Sequence, residues 1–235
     1  MKNAVMVLGM HRSGTSSLTG CLQQRGLYLG TVCEKNEFNL KGNRENDRIM
    51  RLNNSILAFN GGDWRMPPEE VSWEGSHVRE RDDIIREYEG CIESIWGFKD
   101  PRTLFTFQFW NEGLPEARLI GTFRHPLRVA KSLNFRNKME FSEGLELWVR
   151  YNRKLLKLLD RRNFPLVSFD VPVSKYLDSV ELVSAYLSLG KVVSRLEDSF
   201  FDDSLRNQDS MGEMEIPIHV TELYSELLDL SESRY

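Results

Sequence analysis

Cysteine is scarce: the 235 residues hold only Cys21, Cys33 and Cys91. Three is an odd number and the spacing fits no metal-ligand pattern, so neither a disulfide framework nor a zinc module is expected. They read as thiols in a reducing compartment. Long apolar runs are missing as well. Ala4-Val5-Met6-Val7-Leu8 follows a lone Lys2 and is too short for a signal peptide or a membrane span. It reads instead as a buried parallel strand, and the chain as a cytoplasmic protein. A basic surplus is also lacking. The net charge of −4 argues against a general nucleic-acid binder. There is no repeat and no low-complexity tract.

Apolar residues make up 40% of the chain, enough for one sizeable core. Apolar periodicity predicts strands over 3–8, 95–98, 118–123 and 166–169. It predicts helices over 14–26, 44–59, 76–94, 126–136, 145–159, 174–189 and 219–230. Pro101 is placed to open a further short helix. Strands alternating with helices imply an α/β fold, a parallel β-sheet flanked by helices. Residues 1–195 are expected to form this domain, and 196–235 an acidic extension packing on or flanking it. Charge is polarised along the chain. Gly97–Lys138 carries eight Lys/Arg against three Asp/Glu, whereas Glu197–Tyr235 carries two against eleven. A basic middle suits a polyanionic ligand.

In such sheets ligands bind at the carboxyl ends of the strands. The chemistry is therefore expected at 9–16, 99–102 and 124–132, and those segments hold the unusual residues. Gly9-Met10-His11-Arg12-Ser13-Gly14-Thr15-Ser16 joins a strand to a helix. Its spacing is that of a Walker A phosphate loop, but Thr15 stands where the lysine belongs and Arg12 brings the positive charge earlier. Unpaired N–H groups at a helix start, and glycines that admit a phosphate to the backbone, make an anion site. Lys99-Asp100-Pro101-Arg102 follows the second strand, where a salt bridge to Asp100 is the plainer reading of the two cations. Arg124-His125-Pro126 follows the third. Ser132 lies two helical turns past Arg124 and one near-integral step past Arg128, so a guanidinium and a hydroxyl can face one site.

These residues resemble the PAPS-dependent sulfotransferases, in particular their bacterial-type branch, whose donor is 3′-phosphoadenosine 5′-phosphosulfate. The loop from Gly9 to Leu18 is similar to the family's 5′-phosphosulfate loop. Arg124 through Ser132 is similar to its 3′-phosphate motif. Lys41-Gly42-Asn43-Arg44-Glu45-Asn46 and Gly97 to Arg102 extend the likeness, which spans roughly residues 3–170. The resemblance implies a P-loop NTPase-like sulfotransferase fold and transfer of a sulfuryl group to a hydroxyl or amine. It implies that Arg12 contacts the bridging oxygen and the 5′-phosphate. Ser13, Gly14, Thr15 and Ser16 would cradle that phosphate, Arg124 and Ser132 would bind the 3′-phosphate, and Lys99 and Arg102 would belong to the same donor site. An Arg-Lys-Gly stretch found late in many cytosolic members is not evident here. Arg206 is a weak substitute, which leaves adenine recognition unassigned.

A general base is also needed. Glu45 is the first choice, with the helix dipole as an alternative reason for a first-turn Glu. His11 is the second candidate and His125 the third, while His77 is expected in a charged, exposed loop. No metal is expected, because no lysine stands in the loop and no aspartate after a strand reads as a metal ligand. Phe38, Trp64, Met66, Trp73, Phe135 and Trp148 are candidates for an aromatic acceptor wall, although such residues are more often core. The acceptor is expected to be a small molecule or a carbohydrate; oligomeric state is open. The alternatives are a P-loop kinase or NTPase, disfavoured by Thr15, and a non-catalytic nucleotide-binding module.

Overall fold

The structure, a computed structural model, describes residues 3–34, 41–91, 93–190 and 215–233. Four strands form its parallel sheet: β1 (Asn3–Leu8), β2 (Ile95–Lys99), β3 (Arg118–Phe123) and β4 (Leu166–Ser168), in the order β2-β1-β3-β4. Strands buried on both faces need apolar residues at every position. The alternating side chains of β1 divide between two cores. Val5 and Val7 join Ile120, Val167, Leu18, Leu22, Tyr176 and Val180 on one face. Met6 and Leu8 join Leu119, Phe123, Trp96 and Phe98 on the other.

Helices α1 (Thr15–Gln23) and α7 (Val173–Tyr186) cover the first face. The second is covered by α2 (Asp47–Phe59), α3 (Gly75–Gly90), α4 (Phe107–Gly113), α5 (Pro126–Asn137), α6 (Phe141–Arg161) and α8 (Ile218–Ser233). The chain runs from β1 outward to β2, then returns past β1 to lay down β3 on its other side. The order reverses there, so the loops after β1 and β3 diverge and leave a crevice at the sheet's carboxyl edge. Register brings Val7 opposite Lys99 and Leu8 opposite Gly121, so the segments 9–16, 99–102 and 124–132 leave the sheet from one edge.

Several elements differ from the periodicity reading: α3 stops at Gly90 instead of 94, α6 starts at Phe141 instead of 145, and α2 and α4 differ in ways that bear on the site. Helix α2 begins at Asp47, not at 44, because the Asn46 side chain accepts the N–H groups of Arg48 and Ile49 and caps it there. Glu45 therefore precedes the helix instead of lying in its first turn. Helix α4 was not anticipated. Its seven residues, Phe-Gln-Phe-Trp-Asn-Glu-Gly, are too short and too aromatic to show a period. Packing decides it: Trp110 lies 4.7 Å from Phe98 and Phe109 lies 5.4 Å from Trp73. A buried polar node fixes this region. Asn53 on α2 accepts from Thr106 Oγ1 at 2.7 Å and Trp110 Nε1 at 2.8 Å, and donates to Thr103 Oγ1 at 3.2 Å.

Within 215–233, α8 buries Val220, Leu223 and Leu227 in the second core. The boundary expected near 195, and Arg206, lie outside the described residues. Among the described residues no helix is long and apolar enough to cross a membrane.

Candidate active site

The loop after β1 depends on two glycines. A Cβ on Gly9 would meet Thr122 O at 2.4 Å, and one on Gly14 would meet Phe169 Cδ2 at 2.3 Å. Gly14 also has φ +81° at the N-cap of α1, a region open to glycine. No side chain caps this helix, so its first turn offers N–H groups to an anion. Ser13 Oγ, inside the loop, is buried without a hydrogen-bond partner among the described residues. Such an orphan is uncommon and fits a cradle that expects an acceptor. Arg12 adopts φ +66°, unusual for a residue with a side chain. Thr122 Oγ1 donates to Ser13 O and so ties the loop to β3.

That twist turns the Arg12 side chain toward α5. Its Nε donates to Ser132 Oγ at 2.7 Å, and Arg124 NH1 reaches Arg12 O at 3.5 Å. The loop and the Arg124–Ser132 couple, more than a hundred residues apart in sequence, thus meet in one crevice. Burial lowers the pKa of Arg12 to about 10, with Arg136 and Arg124 adding like-charge repulsion. The guanidinium stays charged at neutral pH but is held at a cost, which an arriving anion would relieve. Arg136 stands one turn beyond Ser132 on the same face of α5.

The second cluster lies between β2 and α2. Lys99 Nζ donates to Glu45 Oε1 at 2.6 Å, with the lysine side chain only 1% exposed. Asp100 accepts from Arg102 NH1 at 3.0 Å and caps the short 3-10 turn Pro101–Leu104 through Arg102 N. Burial raises the Asp100 pKa against the opposing pull of Arg102. Ser16 Oγ donates to Asn43 O, so the phosphate loop itself anchors the strand of chain that presents Glu45.

His11 closes the space between these groups. Its ring packs on Trp64 at 4.8 Å and Tyr151 at 5.7 Å. The residue is partly exposed, but its Nε2 is buried and has no hydrogen-bond partner among the described residues. Burial, then Arg102, Lys99, Arg136 and Arg12, push its pKa well below the ordinary imidazole value. It is therefore neutral at pH 7 and protonates in the unfolded chain first. A folded-state pKa below the unfolded one means that stability is intact above about pH 6.5 and falls as pH drops below it. His11→Asn should flatten that decline between about pH 7 and 5 by up to about 1.4 kcal/mol per pH unit. Melting temperatures across the range check this, and identical slopes in the two proteins would contradict it.

The residues anticipated from sequence thus fall in two linked clusters. The loop 9–16 meets Arg124 and Ser132 through Arg12. Glu45 pairs with Lys99 and Asp100 with Arg102, the Ser16–Asn43 bond ties this second group to the loop, and His11 feels the charges of both. His125 has a local task, its Nδ1 accepting Leu127 N at the N-cap of α5 while its ring packs 4.8 Å from Tyr224. His77 is the third residue of α3, where its Nδ1 accepts Glu74 N in a capping box, so it is not a loop residue. Of the aromatic candidates, Trp64 faces the site. Trp148 is core and donates to Arg124 O, Trp73 packs on Phe109, and Met66 and Phe135 are exposed. Phe38 lies outside the described residues. Two aspartates do follow strands, Asp100 and Asp170, and both face arginines. Asp170, Tyr151 and Arg136 were not picked out from sequence, whereas Arg128 was, as a guanidinium one turn before Ser132. An acid two residues past the last strand was the available signal for the first.

Comparison with protein-family models and with curated protein sequences returns no match. Solved structures do match. The sulfotransferase domain of the Synechococcus PCC 7002 olefin synthase aligns over 97% of this chain and 96% of its own, with TM-score 0.61 and 17% identity. The chain has a sulfotransferase fold. The sulfotransferase domain from the curacin biosynthetic pathway aligns over 97% and 98%, with TM-score 0.62 and 12% identity. A sulfotransferase from Alicyclobacillus acidocaldarius aligns over 99% and 95%, with TM-score 0.54 and 16% identity. At such identities the sulfotransferase fold is what the likeness establishes, and activity has to be argued from the site.

Proposed function

We propose that this protein is a sulfotransferase that moves the sulfuryl group of 3′-phosphoadenosine 5′-phosphosulfate to a hydroxyl or amine of a small-molecule or carbohydrate acceptor. One observation carries the reading: Arg12 Nε bonds Ser132 Oγ at 2.7 Å beside Arg124. A loop suited to a phosphosulfate and a guanidinium–hydroxyl couple suited to a second phosphate share one crevice. That is what a doubly phosphorylated adenosine requires and what ATP or ADP does not. Thr15 in place of the loop lysine is a further argument against kinase chemistry. The scarcity of cysteine supports a cytoplasmic enzyme.

Transfer is a matter of positioning and charge stabilisation. The acceptor oxygen attacks sulfur, the bond from sulfur to the bridging oxygen breaks, and the bisphosphate leaves with that electron pair. Arg12, the uncapped N–H groups of α1 and the helix dipole stabilise the charge growing on the leaving oxygen. The acceptor's proton passes to the Glu45 carboxylate, which Lys99 orients. His11, neutral and held between Trp64 and Tyr151, walls the acceptor side. Ser13 Oγ, buried and unpartnered among the described residues, is suited to the 5′-phosphate.

Calorimetry with adenosine 3′,5′-bisphosphate and adenosine 5′-monophosphate tests the donor assignment. The native protein should prefer the bisphosphate without Mg²⁺. Arg124→Ala should weaken it about tenfold or more, the worth of a charge-assisted hydrogen bond, and change monophosphate binding little. Equal losses for both nucleotides, or preference for ATP with Mg²⁺, would refute the assignment. A screen of hydroxylated compounds with labelled donor then identifies the acceptor.

A further inference from the structure

The Arg124–Ser132 couple leaves two charged groups of the same corner without a role. Arg128 stands one turn from Ser132 on α5, on the same face, in the helix's first turn. Its side chain is 19% exposed and its Nε is buried with no hydrogen-bond partner among the described residues. Asp170, two residues past β4, is the second group. Its Oδ2 accepts the backbone N–H of His125 at 2.6 Å. Its Oδ1 lies 3.4 Å from Arg124 Nε and 3.3 Å from Arg128 NH1.

The unequal distances separate the tasks of the carboxylate. The short bond to His125 anchors it to the turn between β3 and α5. The longer contacts hold both guanidiniums toward one point, and Arg128 Nε keeps no acceptor there among the described residues. Arg128 shares its one carboxylate with Arg124 at the amino end of a helix, so among the described residues its side of the corner is under-neutralised. The group that completes it is small, at least doubly anionic and rich in acceptors. A phosphate monoester meets that description, and a planar guanidinium recognises it only when its fork is aimed.

We propose that Arg128 is a second guanidinium of the 3′-phosphate site and that Asp170 is the positioning residue that aims Arg124 and Arg128 at that phosphate. The proposal rests on the donor reading above and assigns that site a four-part reader: Arg124, Arg128, Ser132 and Asp170. Asp170 acts only through the two arginines.

The test is calorimetry of adenosine 3′,5′-bisphosphate against adenosine 5′-monophosphate. Arg128→Ala should lower the affinity ratio at least tenfold, through the bisphosphate alone. Arg128→Lys, which keeps the charge but not the fork, should recover only part of it. Asp170→Asn keeps an acceptor for His125 N–H but loses the charge that orients the arginines, and should lower the ratio about threefold to tenfold. Asp170→Glu should restore part of it. A purely structural role would shift melting temperature, or both nucleotides equally, and leave the ratio alone. Ratios at or above the wild-type value in Arg128→Lys and Asp170→Asn overturn the proposal, and Arg128→Lys decides if Arg128→Ala does not fold. The donor reading fails separately, through a wild-type protein that does not prefer the bisphosphate or an Arg124→Ala that keeps the preference.

Discussion

Glu45→Gln should lower kcat by at least about a hundredfold at saturating donor, the lower end of what a positioned base contributes. Donor affinity should stay within about twofold, because the Glu45 carboxylate is paired with Lys99 and not with a group of the phosphate loop. The same substitution leaves a nearly buried ammonium without its counter-ion. That costs on the order of 1–3 kcal/mol of stability, so a fall in activity alone is ambiguous. Lys99→Met in the same chain separates the two effects. The double variant should recover thermal stability and remain inactive, since it regains a neutral core but no base. Recovery of turnover in the double variant would show that the carboxylate served only to neutralise the lysine. Undiminished turnover in Glu45→Gln would exclude it as the base outright.

Arg12→Gly should abolish turnover and yet raise the melting temperature. Arg12 pays twice for its place. Its φ of +66° costs a residue with a Cβ about 1–2 kcal/mol. Its pKa, lowered to about 10 by burial and then by Arg136 and Arg124, reports a penalty on the charged form on the order of 3 kcal/mol. Against these stand the hydrogen bond to Ser132, worth about 1–2 kcal/mol, and the extra chain entropy of glycine, about 0.5–1 kcal/mol. The balance favours glycine by about 1–3 kcal/mol, or roughly 2–12 °C in a chain of this size. Catalysis moves the other way, because one charge-stabilising donor at the leaving oxygen is worth about a hundredfold or more. Scanning calorimetry beside a turnover assay tests both halves. A lower melting temperature would mean that the loop is relaxed around its arginine, and retained turnover would remove Arg12 from the chemistry.

Periodicity located all four strands because each is buried and short, and parallel pairing tolerates apolar residues at every position. From those strands the carboxyl-edge rule led to the loop, to Lys99–Arg102 and to Arg124–Ser132. What escaped it was decided by contact. Asn46 stops α2 from starting earlier by capping two N–H groups, which moves Glu45 from a helix turn into an extended segment aimed at Lys99. Phe109 and Trp110 become helical because two aromatic neighbours hold them there. His125 is adjacent to the critical Arg124 in sequence, yet its ring nitrogen is spent on a backbone N–H. Asp170 is distant from Arg124 in sequence but shares its corner. No single-residue pattern encodes such a pairing; it follows only once β3 and β4 are laid side by side.

Asn53 binds Thr103, Thr106 and Trp110, and so joins the helix that starts just after Glu45 to the segment that starts just after Lys99. The ammonium and the carboxylate are therefore not adjusted at their own positions alone. A core amide two helical turns away sets how far apart the two supporting elements ride, as a hinge pin sets the gap between two blades. On the proposed mechanism, a change at that amide, away from the ion pair itself, would disturb the proton's path as well as soften the fold.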